Sequence, residues 1–150
     1  MVTDAETTPA QRIPLSKERV LRGAIALADS QGIDALTMRN LAHELGVEAM
    51  SLYHHVANKE ALLDGVVDTL VGEIEEALGG FDVVPGQADW KDNLRTRILT
   101  ARTVMLRHKW APGLIETRTT MTPTLLRYMD ATLGIMIEGG FSYDLGHHAM

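Results

Sequence analysis

The stretch LTMRNLAHELGVEAMSLYHHVANKEALL, Leu36 to Leu63, constrains this chain more than any other. Its apolar residues recur at helical spacing, yet Gly46 interrupts them four positions after a small residue, Ala42. Glycine inside a helix costs about 1 kcal/mol against alanine. That cost is accepted where the chain must turn, because glycine takes positive φ without steric penalty. Two short helices that cross steeply are joined by such a turn. Ala42 marks the point of closest approach, and Leu41, Leu45, Val47 and Leu52 supply the apolar contacts that fix the crossing. The pattern predicts a helix-turn-helix over about Met38 to Ala57. The same spacing also fits a helical hairpin that only buries core, which would make a protein-interaction module without DNA binding.

The second helix of the pair, predicted over Glu48 to His55, weighs toward DNA. Leu52 faces inward, and the outward set is drawn from Glu48, Ala49, Met50, Ser51, Tyr53, His54 and His55. Ser, Tyr and His bond phosphate oxygens or base edges, and Ala49 or Met50 can meet a thymine methyl. Lys59 opens the following helix, where its charge adds to that of free backbone N–H groups; Thr37 and Arg39 open the supporting helix in the same way. The net charge of −6 excludes a protein that coats nucleic acid. From Arg12 to Lys59, however, there are six Lys or Arg against five Asp or Glu, so a duplex must be met by one local face.

The rest of the chain reads as helices with punctuation. Residues 1–14 form a polar arm with Pro9 and Pro14. Ser16 caps a first helix closed by Gly32, with Val20, Ala24 and Leu27 on its apolar face. Thr37 caps the second helix, and Asn58 caps a fourth, 59–78, with Leu63, Val67, Leu70 and Ile74 on one face. The main break runs from Gly79 to Asp89. Trp90, Leu94, Ile98, Ala101 and Met105 then repeat at helical spacing until Pro112, with a short helical turn from Gly113 to Thr117. A further helix carries Leu126, Met129, Leu133 and Met136 on one face, and Leu125, Ile135 and Ile137 on others, which predicts burial by several neighbours. Gly139 and Gly140 stop it, and Ser142 caps a last helix. This organisation predicts an all-α chain in two parts: a DNA-binding unit at 15–60 and a helical regulatory unit at 61–150, linked by helix 59–78.

Enzyme chemistry finds little support. These 150 residues hold no Cys, which removes disulfides, zinc-thiolate sites and a cysteine nucleophile. His43 begins H-E-x-x-H, but Val47 stands at the second ligand position. The GFSYD around Ser142 lacks the last glycine of a nucleophile elbow. Glu73, Glu75 and Glu76 read as a solvated helix face. No catalytic residue, metal site or cofactor is expected. The first residues have no apolar core of a signal peptide and no run reaches the ~18 residues of a membrane span, so a cytoplasmic protein is expected.

Ser16 to about Leu70 resembles the N-terminal three-helix domain of the TetR family of transcriptional regulators, through VLRGAIALADSQGIDALTMRNLA and LGVEAMSLYHHVANKEALLDGV. The second half is similar to the tetracycline-repressor branch through DWKDNLR, MLRHKWAPGLI and GGFSYD. The resemblance implies phosphate contacts at Thr37, Tyr53 and Lys59, and base-reading positions at Arg39, Ala49, Met50, Ser51 and His55. It implies a homodimer on a double-stranded, palindromic operator, and a second domain that binds a small effector. The family dimerises through two long terminal helices, and this chain ends where they begin; the resemblance thus implies truncation at the C-terminal end, or dimerisation by another surface. His108 and Asp144 lie near the branch's drug and metal contacts, but Glu75 stands where it has a histidine, so neither tetracycline nor magnesium is assigned. His108 reads first as a cation at a helix C-terminus.

For the effector, Trp90, Met105, His108, Trp110, Leu114, Met121, Tyr128, Met129, Leu133 and Met136 are the candidate lining of a cavity between helices. Methionine adapts to irregular gaps, though such residues also make plain core. Trp110 stands out, beside Pro112 and Gly113, with an N–H that can orient a polar atom of a ligand and with Arg118 or Tyr128 near it. The composition of this set points to a mainly apolar effector of modest size.

Overall fold

A computed structural model describes residues 14–80 and 89–149. The predicted arm, except Pro14, and most of the break after Gly80 lie outside the described residues. Among the described residues every regular element is helical. Helix α1 (Lys17–Gln31) begins where the Ser16 side chain accepts the Arg19 N–H. A 3-10 turn (Ile33–Ala35) leads to α2 (Met38–Leu45), capped by Thr37, which accepts the Asn40 N–H. Then come α3 (Ala49–Leu52) and α4 (Lys59–Leu78), the latter capped by Asn58 through the Ala61 N–H. The second half holds α5 (Trp90–Arg107), α6 (Ala111–Thr117), α7 (Pro123–Glu138) and α8 (Tyr143–Ala149). Each cap supplies an oxygen to one of the N–H groups that a helix start leaves unpaired.

The long helix α4 is the hub. It buries Leu62, Leu63, Val66, Val67, Leu70, Val71 and Ile74, more than one stripe, because α1, α5, α6 and α7 all pack on it. One contiguous apolar cluster runs from Val20 and Leu27 of α1 through Leu41 and Leu52 to α4, and includes Ala111 and Leu114 of α6. Gly23 and Gly65 permit the close approaches: a Cβ on either would come within 2.7 Å of Leu45 or Leu21 respectively.

Four expectations need correction. Helix α3 ends at Leu52, not His55. The N–H groups of both His55 and Val56 converge on the Leu52 carbonyl, tightening the chain so that Val56 turns into the core. On α5 the buried residues are Arg97 and Val104, while Ile98 is 53 % exposed. The inward row is therefore one position off the apolar repeat, and it carries a guanidinium held by the Thr132 hydroxyl and the Tyr128 carbonyl, each at 3.3 Å. Pro112 does not stop α5, which ends at Arg107; it lies in the first turn of α6, where its missing N–H is no loss. On α7 the buried set is Thr132, Leu133, Ile135 and Met136, and Leu126 and Ile137 stay exposed, so this helix is covered on fewer sides than its composition suggests.

Candidate functional site

The geometry of the candidate surface follows from Gly46. This residue ends α2 at φ 65 and ψ 36, and its N–H returns to the carbonyls of Ala42 and His43. The left-handed turn is one that side chains with a Cβ rarely adopt. Ala42 and Leu52, both buried, hold α2 and α3 together. Arg19 of α1 donates from Nη2 to the Leu45 carbonyl at 3.3 Å, satisfying an end of α2 and tying the turn to α1.

With Leu52 pinned inward, α3 and its following turn present the remaining residues outward. Met50 is 71 % exposed and Tyr53 44 %. His54 is exposed, and Ala49, Ser51 and His55 are partly buried. Lys59 is exposed at the first position of α4. Thr37, partly buried, uses its hydroxyl as the α2 cap, and exposed Arg39 is the second residue of that helix, in its first turn. These residues thus lie at two helix starts, on the short helix between them and on its following turn. Arg118, expected beside Trp110 in a pocket, is instead held by acid groups of α4. Its side chain lies 2.8 Å from both Glu60 and Asp64, offsetting acid charge beside Lys59. Burial by itself would lower the Arg118 pKa, but hydrogen bonds and charge from these two carboxylates raise it above the ordinary value.

The ten pocket candidates do not come together. Tyr128, Met129 and Met136 line a cavity of about 240 Å³ with Leu94, Ile98, Thr132 and Ala149. Burial pushes the Tyr128 phenol above its usual range, opposed by Arg97 and by the Thr132 hydroxyl, and burial lowers the Arg97 pKa. Trp90 lies elsewhere, edge-on to Phe141 at 5.5 Å and pressed on Gly139. Met121 is exposed, and Leu133 packs beside Gly146. Met105, Trp110 and Leu114 face the core cluster shared with α1 and α4. The Trp110 N–H is taken up by Asp29 at 2.7 Å, so it is not poised for a ligand as the sequence suggested. His108 does cap the end of α5, but it points to Asp29 and Glu73. Glu75 pairs with Arg127 at 3.5 Å, and Asp144 is exposed on α8. No group of three or more His, Asp or Glu able to hold a metal occurs among the described residues. Asp29, Arg97 and Thr132 had no signal in the sequence: a lone polar residue on a helix does not reveal what it will face.

Comparison with known proteins agrees with this fold. Residues 20–66 match the family described as bacterial regulatory proteins, tetR family, and residues 84–150 match the tetracyclin repressor-like C-terminal domain. An HTH-type transcriptional regulator of Saccharopolyspora erythraea is 32 % identical over 127 residues, 85 % of this chain and 51 % of that protein. The tetracycline repressor protein class D of Escherichia coli is 32 % identical over 139 residues, 91 % of this chain and 60 % of the repressor. The crystal structure of ActR, a TetR family protein of Streptomyces coelicolor, in complex with actinorhodin superposes with a TM-score of 0.76 at 30 % identity, covering 90 % of this chain and 61 % of ActR. The chain thus spans little more than half the length of these relatives.

Proposed function

The chain belongs to the TetR family of bacterial regulatory proteins, and on that premise we propose that it is a ligand-responsive transcriptional regulator, a repressor, that binds a palindromic DNA operator as a homodimer. Residues 15–60 are its reading unit and 61–150 its regulatory unit, and it acts in the cytoplasm without catalysing a reaction. No helix among the described residues is long and apolar enough to cross a membrane.

The observation that carries this reading is the exposed end built by Gly46, where Met50, Tyr53, His54 and Lys59 project away from a core that pins Leu52. Tyr53 and Lys59, with Thr37, serve phosphates; Arg39, Ala49, Met50, Ser51 and His55 serve base edges. Two such heads in a dimer meet successive major grooves about 34–36 Å apart, which makes the operator a palindrome. The effector is a mainly apolar small molecule. One relative is named a tetracycline repressor protein and another is solved in complex with actinorhodin, and the cavity lined by Tyr128, Met129 and Met136 supports an apolar ligand here.

Selection of bound sequences from a random duplex pool by the full chain tests the proposal. A recovered palindrome bound with a steep salt dependence is expected. Recovery of no sequence, with binding absent even at low salt, would leave the helical protein-interaction module as the better reading.

A further inference from the structure

Asp29, near the end of α1, gathers donors from the junction between α5 and α6. The Trp110 Nε1–H donates to its Oδ1 at 2.7 Å. His108 Nδ1 lies 2.9 Å from Oδ1 and 3.0 Å from Oδ2. A carboxylate only accepts, so His108 donates from Nδ1. Its Nε2 faces Glu73 of α4 at 3.6 Å, and Glu73 also takes Arg107 at 3.2 Å. The two rings meet edge to face at 6.0 Å, and the His108 side chain is only 10 % exposed. A groove of about 670 Å³, lined by Arg22, Asp29, Glu73 and Arg107 among others, opens over this group between α1, α4 and α5.

The placement matters because both donors flank the short link between α5 and α6. That link cannot rotate without withdrawing one donor or both. At the other side, α1 packs in one core with Leu41 of α2 and Leu52 of α3, a core that Ala111 and Leu114 of α6 also join, so the polar contacts of Asp29 add direction to an apolar contact between the same elements. We infer that Asp29, His108 and Trp110 form a clasp that fixes the attitude of the reading unit against the α5–α6 body, making Asp29 a positioning residue for operator binding. The functional half of this inference rests on the operator-binding reading above. A dimer must hold two reading helices at one separation. Its apparent Kd on a palindrome rises as the fraction of molecules in that geometry falls. An intact clasp keeps that fraction high; a broken one widens the range of head attitudes that the apolar core alone allows.

The test has two arms. The chain lacks Cys, so spin labels at Glu44→Cys on α2 and Glu116→Cys on α6, both exposed, report head-to-body distance within one chain when diluted with unlabelled protein. A narrow distribution is expected for the parent, at least half as wide again for Asp29→Ala, and intermediate for Trp110→Phe, which keeps the ring and loses the donor. In the second arm, Asp29→Ala binds the selected palindrome at least fivefold more weakly while a single half-site duplex is bound as before. Should Asp29→Ala lose its helical circular dichroism, Asp29→Asn and Trp110→Phe carry both comparisons. Unchanged distance widths overturn the clasp, as does equal weakening on palindrome and half-site, which marks a merely structural role. If the parent binds no duplex, the operator reading falls, and the spin-label arm alone decides whether the clasp exists.

Discussion

Neighbouring residues of α3 and its turn answer to opposite demands. Leu52 is 0 % exposed and belongs to the fold. Its replacement by Ala removes buried methyl groups and leaves a cavity, costing about 2–5 kcal/mol, and chemical denaturation will show it as a lower midpoint. Tyr53, the next residue, is exposed, and so is Lys59, so neither truncation opens a cavity. Tyr53→Ala and Lys59→Ala are expected to weaken operator binding with helix content unchanged. They should differ in salt dependence: loss of one phosphate contact by Lys59 lowers the slope of log K against log salt by about one. A titration across salt concentrations separates the two effects. Parent-like affinity in both variants would remove these residues from the interface.

At the scale of elements, Gly46 offers the clearest case. Gly46→Val puts a β-branched residue at φ 65 with nothing within 4 Å to clash with an added Cβ, so the penalty is conformational, not steric crowding. The expected outcome is lower thermal stability of the N-terminal helices together with lost operator binding. A stable, fully active Gly46→Val protein would mean that the turn tolerates another path. This turn was legible because positive φ selects one residue type. The starts of α1, α2 and α4 were legible because Ser16, Thr37 and Asn58 each serve one N–H. What failed was the facing of amphipathic helices. Apolar periodicity placed Ile98 inward on α5, where the fold instead buries Arg97 between Thr132 and Tyr128. A repeat of apolar letters carries no information about a cation satisfied by groups some thirty residues away. Pro112 departs from its expected place for a related reason, since proline is as much at home in the first turn of a helix as beyond its end. The pocket suffered most, because its lining is decided by those facings.

For the whole molecule, α4 decides how the parts communicate. It closes the core of the reading unit and also receives α5, α6 and α7, so residue 60 marks no seam in the packing. Under the proposed function, an effector that spread α5 from α7 would work against helices that lean on α4 and shift the population of head geometries. The cavity between α5 and α7, about 240 Å³, is smaller than the ~300–1,000 Å³ of common ligand clefts, so on the proposed reading an effector bound there would have to widen it. A thermal-shift screen of apolar and amphipathic small molecules is expected to give a ligand that stabilises the chain by about 2.7 kcal/mol at a hundredfold excess over Kd. Met129 lines this cavity and Trp110 does not. Met129→Trp fills the space and should abolish the ligand-induced shift, whereas Trp110→Phe should retain it. The reverse pattern, with Met129→Trp still stabilised and Trp110→Phe unresponsive, would move the effector to the α5–α6 junction, beside Asp29.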